Sequence, residues 1–176
     1  RVEGDRVQLE QLASHDSLTG LPNRRMLERS LSQRVADPRR ATRRHGLIVL
    51  DIDHFKEVND LYGHAEGDRV LAELAALLRA QVRAPDEVFR FGGEEFVVVA
   101  RLQSATELSA FARRLHDATR SALRGPNGTI TVSLGAAMLC DEVQWHDWFS
   151  RADTALYQAK NNGRDRYVIA EDVAQD

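Results

Sequence analysis

Two glycines followed at once by two glutamates, inside a run of β-forming residues, constrain this chain more than any other feature. Residues 90–96 read Arg-Phe-Gly-Gly-Glu-Glu-Phe, with Val88 and Phe89 before them and Val97, Val98 and Val99 after. The pattern predicts a β-hairpin with a Gly-Gly turn, because glycine accepts the positive φ that tight hairpin loops demand. Bare backbone at two successive residues also lets a ligand approach closely. Glu94 and Glu95 then stand at the tip, where neighbouring carboxylates repel unless a cation or a reaction uses them. Alone, the stretch would read as a solvated hairpin with an acidic end.

A second acidic cluster weighs against that reading. Asp51-Ile52-Asp53-His54-Phe55-Lys56 closes the apolar run Gly46-Leu47-Ile48-Val49-Leu50, which reads as a buried strand. Carboxylates at the end of a buried strand are unfavourable unless paired, hydrogen-bonded or bound to metal. Magnesium suits a few carboxylate oxygens together with the phosphates of a nucleotide. Pairing of this strand with the hairpin would bring Asp51, Asp53, Glu94 and Glu95 to one edge.

The remaining pattern is that of one α/β domain. At 176 residues the chain is long enough for a substantial core. Asn23 is an N-cap for a helix over about 24–36, with Met26, Leu27, Leu31 and Val35 on one face. Residues 37–44 form a basic loop whose charges face solvent. Val70, Leu71, Leu74, Leu77, Leu78 and Val82 recur at helical spacing over 65–82, and Pro85 supports a stop there. A further helix over 104–123 turns Leu108, Phe111, Leu115, Ala118 and Ala122 inward. Gly125-Pro126-Asn127-Gly128 is a turn into a strand from Thr129 to about Met138. The last helix carries Trp145, Trp148, Phe149, Ala152, Ala155, Leu156 and Ala159 on one face, aromatics that read as core. Residues 166–169 form a closing strand. Strands mixed with packed helices give a sheet with helices on its faces. Residues 1–14 are either a connecting helix, the end of a coiled coil, or a solvated tail. The domain runs over 15–170 and a short tail over 171–176.

A net charge of −3 argues against a nucleic-acid-coating surface, so a polyphosphate site has to be locally basic and no nucleic-acid partner is expected. The one cysteine, Cys140, cannot form an internal disulfide, and it reads as a core or strand-end residue. A reducing, cytoplasmic location is the simplest expectation, as no stretch has the length of a membrane span. The chain starts at Arg1, which suggests a piece of a longer protein from which an upstream sensor domain or membrane anchor is missing.

Further motifs share the chain with the two acidic clusters. They are Asp16-Ser17-Leu18-Thr19-Gly20-Leu21-Pro22-Asn23-Arg24, Asn59-Asp60, Gly63-His64, Gly67-Asp68, Thr131-Val132-Ser133-Leu134-Gly135, residues 152–160 (Ala-Asp-Thr-Ala-Leu-Tyr-Gln-Ala-Lys) and Gly163-Arg164. In this order, over residues 16–168, the chain resembles the GGDEF family, the diguanylate cyclases of bacterial signalling. The resemblance implies an α/β (α+β) fold with a mostly antiparallel central sheet, like nucleotide cyclases and polymerase palms. It implies joining two GTP molecules into cyclic di-GMP, with release of two pyrophosphates, on magnesium or manganese. By the family's motif Asp51, Glu94 and the Ile52 backbone carbonyl are metal ligands. Glu95 either deprotonates the 3′-hydroxyl or holds a second metal. Asp53 is either a supporting group behind the metal or a strand-end cap.

Phosphates need donors. Phe55 and Lys56 follow the metal strand, where a helix start would present backbone N–H groups to an anion. The resemblance assigns Lys160 and Arg164 to the triphosphate. Four residues apart, they share a helix face if the helix continues, whereas Gly163 is a candidate to end it. Asp68 matches the residue that accepts from guanine N1–H and N2–H₂, and Asn59 its amide partner. A carboxylate buried there would be left unpaired by ATP. Arg83-Ala84-Pro85-Asp86 matches the family's RxxD inhibitory motif, whose arginine and aspartate suit the guanines of the product. Arg113 or Arg114 is the candidate for a third member. One set of motifs and a product of two guanosine units imply a homodimer in which each domain brings one GTP. The rivals are a catalytically silent receptor using only Arg83 and Asp86, and a structural adaptor.

Overall fold

In a computed structural model, which describes residues 2–172, the acid-terminated run becomes the central strand. Strand β1 (His45–Ile52) lies between β3 (Glu95–Arg101) and β6 (Val132–Met138), with β2 (Glu87–Arg90) and β7 (Tyr167–Ile169) at the edges. The pairings β1–β3, β1–β6 and β2–β3 are antiparallel and β6–β7 is parallel, so the sheet is mostly antiparallel as expected.

Because a strand's side chains alternate, a central strand buried on both faces is apolar throughout. Ile48, Leu50 and Ile52 of β1 face one way, together with Phe96, Val98 and Leu134. They pack against Leu74 and Leu78 of α4 (His64–Gln81) and Leu108 and Leu115 of α5 (Ala105–Ala122). Leu47 and Val49 face the other way with Val97 and Val99. They meet Leu27 and Leu31 of α2 (Arg24–Ala36) and Trp148, Ala152 and Leu156 of α6 (Trp145–Asn161). Helix α6 lies so close to β6 that a Cβ on Gly135 would stand 2.1 Å from Leu156 N and 2.2 Å from Ala152 O. Only glycine admits that approach. Trp148 is fully buried and donates its indole N–H to Ala137 O at 3.0 Å.

Asn23 caps α2 as expected, its side chain accepting from Met26 N. Ser104 caps α5 by accepting from Glu107 N at 3.2 Å, while Glu107 reaches back to accept from Gln103 N at 2.7 Å. Ala118 is half-buried and Ala122 exposed; the inward face instead carries the polar residues His116 and Thr119. The expected strand from Thr129 is interrupted. Arg124–Gly125 and Gly128–Thr129 form a separate two-strand ribbon, β4 and β5. Ile130 N donates to Leu123 O and Thr131 O accepts from Asp53 N, so the main strand starts at Val132.

The basic loop is more engaged than expected, since Arg40 donates to Val35 O and Glu142 O and Arg44 to Gln103 O. Cys140 lies just past the end of β6, where its N–H donates to Glu142 at 2.7 Å. Residues 2–14 form helix α1 (Val2–Ser14), none of them buried, which is the helical alternative. Of the expected tail, residues 173–176 lie outside the described residues. No helix among the described residues is long and apolar enough to cross a membrane.

Candidate active site

The register of β1 against β3 makes the acidic edge. Asp51 pairs with Glu95, the first residue of β3, and Glu94 stands in the turn with its carbonyl accepting from Ile52 N at 3.4 Å. Phe91 N and Gly92 N both donate to Glu95 O, at 2.9 and 3.3 Å, and close the hairpin. The expected positive φ is absent from both Gly92 and Gly93. Nothing lies within 4 Å of where a Cβ on Gly93 would be, so bare backbone faces open space beside Glu94, whereas a Cβ on Gly92 would stand 3.3 Å from Glu95 Oε2.

A residue the sequence reading left without a role holds this turn. Arg90 donates from Nε to Gly92 O at 3.2 Å and from Nη2 to Gly93 O at 2.8 Å. Its Nη1 meets both oxygens of Asp16 at 3.0 Å. Asp16 also accepts from Thr19 N at 2.8 Å and Thr19 Oγ1 at 2.7 Å. Burial pushes the Asp16 carboxyl up, but the hydrogen bonds from Thr19 and Arg90 outweigh it and leave the pKa lowered. The segment from Asp16 to Asn23 is therefore tied to the acidic turn. An aspartate and an arginine 74 residues apart give no sequence signal of their contact.

The acidic edge carries charge that the fold compensates only in part. Asp51 is only 3% exposed. Lys160 Nζ donates to its Oδ2, while its Oδ1 is buried with no partner. Burial pushes the Asp51 carboxyl up against the opposing pull of Lys160. Glu94 is raised by burial and then by the Asp51 charge, and Glu95 by burial, Asp51 and Asp153. Lys160 and Arg24 pull Glu95 the other way. Asp153 and Arg24 are site neighbours the sequence reading missed. Asp153 had a signal, since it precedes Lys160 by seven residues and so shares its helix face.

An orphaned buried oxygen beside two carboxylates of raised pKa suits a hard divalent cation in donor chemistry. As they stand, no three acidic, histidine or cysteine side chains among the described residues converge on one point, and the ammonium of Lys160 is the cation on Asp51. Asp53 has a different job. It accepts from Thr131 Oγ1 at 2.7 Å, Ser133 Oγ at 2.6 Å and Asp165 N at 3.0 Å, so it clamps the strand end.

The phosphate and base candidates lie on α3, on α4 and at the end of α6. His54 has φ 56° and starts α3 (Phe55–Tyr62) without capping it by its side chain, which leaves the backbone N–H groups of Phe55 and Lys56 at an open helix N-terminus. Asn59 of α3 lies against α4 because Gly67 has no side chain; a Cβ there would stand 1.9 Å from Asn59 Oδ1. Asp68, on the next residue, is exposed, so the buried acceptor expected there is an open carboxylate. Helix α6 ends at Asn161 and Gly163 turns the chain at φ 117°, so Arg164 follows the helix and does not share a helical face with Lys160.

Arg83 and Asp86 lie elsewhere, in a groove with Pro85, Arg101, Phe111 and Arg114. Asp86 accepts from Arg101 N at 3.0 Å, and Arg114 lies over the Phe111 ring at 4.7 Å while donating to Gln81 O. Arg113 faces Asp117 at 3.8 Å, so of the two arginines considered only Arg114 joins this groove. Arg101 is six residues along β3 from Glu95, which separates groove and acidic edge by about 20 Å.

The chain matches the family described as diguanylate cyclase, GGDEF domain, over residues 13–166. It is 45% identical over 167 residues to the diguanylate cyclase DgcP of Pseudomonas aeruginosa, with 91% of the chain covered. It is 38% identical over 172 residues to the bifunctional diguanylate cyclase/cyclic di-GMP phosphodiesterase MucR of the same organism, with 93% covered. The chain spans 24% of each of these relatives. Among solved structures, the coiled coil and GGDEF domain of DgcB from Caulobacter crescentus, in complex with c-di-GMP, superposes with a TM-score of 0.86 at 33% identity, covering 96% of this chain and 93% of that one. The active GGEEF domain of a diguanylate cyclase from Vibrio cholerae gives 0.79 at 32% identity, covering 87% and 99%.

Proposed function

The chain belongs to the GGDEF family of diguanylate cyclases, and from that premise we propose that it condenses two GTP molecules into cyclic di-GMP and two pyrophosphates. The observation that carries this reading is the register that sets Asp51 opposite Glu95, with Lys160 on one Asp51 oxygen and nothing on the other. A silent receptor or an adaptor has no use for an acidic edge that one lysine compensates only in part.

Each half of the reaction is attack of a 3′-hydroxyl on an α-phosphorus. Asp51, Glu94 and the Ile52 carbonyl would hold magnesium or manganese. Bound there, the ion would neutralise phosphate charge and lower the hydroxyl's pKa. Glu95 either takes the hydroxyl proton or helps to hold a second ion. Lys160, Arg164 and the backbone N–H groups of Phe55 and Lys56 receive the triphosphate. Asp68 and Asn59 read the guanine edge.

A single domain brings one GTP, so two domains meet about a twofold axis. The product binds back at Arg83 and Asp86, with Arg114 as a third contact, through guanine O6, N7, N1 and N2. Lying away from the acidic edge, this site inhibits by fixing the domain against a partner and leaves the GTP pocket free. Incubating the chain with GTP and magnesium and identifying the products by mass tests the proposal. Cyclic di-GMP and pyrophosphate are the expected products, and unchanged GTP from the folded chain would overturn it.

A further inference from the structure

Immediately after α6, Arg164 and Asp165 are consecutive non-glycine residues in the left-handed region, at φ 62° and 47°, following Gly163 at 117°. Side chains disfavour that conformation, and two in a row persist only where the surroundings hold them. Two restraints converge on Asp165. On one side its N–H donates to Asp53 Oδ2 at 3.0 Å, and Asp53 is itself clamped to β6 and the residue before it by Ser133 and Thr131. On the other, its carboxylate meets His116 Nε2 at 2.7 Å, with Arg120 Nε at 3.6 Å from the second oxygen. His116 is 8% exposed, on the buried face of α5 beside Leu115 and Ala112.

An imidazole on a face otherwise built of apolar residues and Thr119 needs a polar partner, and it finds one in the segment between α6 and β7, where Arg164 N also donates to Ala159 O at 3.0 Å and Arg166 O accepts from Leu134 N at 3.0 Å. We propose that His116 is a positioning residue for the nucleotide site: by holding Asp165 it fixes the left-handed backbone of residues 164–165 and so aims the Arg164 guanidinium at the triphosphate. It acts through Asp165 and touches no substrate. The inference rests on the reading that Arg164 binds the triphosphate of GTP.

The test measures half-saturating GTP and kcat, at low product and constant magnesium, for the whole chain and for His116→Ala, Asp165→Gly, Arg164→Ala and the His116→Ala/Arg164→Ala pair. Loss of one hydrogen-bonded restraint should raise half-saturating GTP about three- to tenfold in His116→Ala, with kcat within about twofold. Asp165→Gly keeps the N–H donated to Asp53 and tolerates the left-handed backbone. It should show the same split and carries the test should His116→Ala fail to fold.

In the Arg164→Ala background, His116→Ala should add less than about twofold, because the group it aims is gone. Unchanged half-saturation in either single variant, or a full His116→Ala effect on top of Arg164→Ala, would overturn the positioning role. Arg164→Ala with unchanged half-saturation would overturn the triphosphate reading itself, and this inference with it.

Discussion

The two guanine-nucleotide sites proposed here sit at opposite ends of strand β3 and are built on opposite electrostatic terms. At the Glu95 end three carboxyl groups are pushed above their ordinary values, chiefly by burial, and one buried oxygen has no partner. At the Arg101 end the aspartate already accepts a backbone N–H and the arginine beside it stacks on an aromatic ring. The first site leaves one Asp51 oxygen unpaired beside the Lys160 ammonium, whereas the second has its aspartate paired already. A reaction centre gains from groups whose charge is relieved only when substrate and metal arrive. A regulatory groove gains from groups that cost little to leave unoccupied.

That contrast breaks most visibly if the acidic edge proves dispensable. Asp51→Asn and Glu94→Gln each remove a charged oxygen at nearly constant volume, and each should lower cyclic di-GMP synthesis by about 10²-fold or more while the fold is retained. Initial rates alongside a circular dichroism spectrum check this, and near-wild-type turnover would remove the metal assignment. The other end should behave oppositely. Arg83→Ala should lower affinity for cyclic di-GMP by about one to two decades, the loss of a bidentate guanine contact, with initial turnover close to wild type. Calorimetry with cyclic di-GMP separates the two quantities, and unchanged affinity would leave Arg83 a solvated cation.

A smaller effect concerns base choice. Asp68→Ser should weaken preference for GTP over ATP by about tenfold, the lower end expected for a charged hydrogen bond at an exposed carboxylate. Competition assays read it, and unchanged selectivity would move base recognition elsewhere.

The smallest effect sharpens the electrostatic claim. The Glu94 carboxyl is raised by burial and by Asp51, so the folded chain holds that proton more tightly than the unfolded chain does. Stability from this group is fully present below the ordinary carboxylate range and is lost as pH rises through the raised folded value. Glu94→Gln should therefore melt above wild type at pH 8 without metal, by roughly 2–4 °C for each kcal/mol relieved, with the gap closing toward pH 4. A gap that widens on acidification would reverse the sign.

Much of this architecture was legible because it rests on periodicity. The apolar run of β1, the β-forming residues on both sides of the Gly-Gly turn and the helical spacing from Val70 to Leu78 each mark a buried element, and each forms as expected. What stayed hidden depends on contacts between distant residues. Asp16 and Arg90 bracket the acidic turn through a guanidinium fork. His116, read only as part of a helix, reaches Asp165 49 residues on. Of the two properties expected of the turn glycines, left-handed freedom is not needed, because the hairpin closes through Phe91, Gly92 and Glu95 without positive φ. Asp68 was expected in a buried setting, but its place on the outer surface of α4 leaves it open.

The central claim is that the acidic edge of Asp51, Glu94 and Glu95 is completed by a divalent cation. Calorimetric titration of magnesium, with a non-condensable GTP analogue present, into the wild-type chain and Asp51→Asn tests it most directly. Saturable binding in the wild type that is lost or weakened at least about tenfold in Asp51→Asn is the expected result. Equal magnesium affinity in the two chains would contradict it.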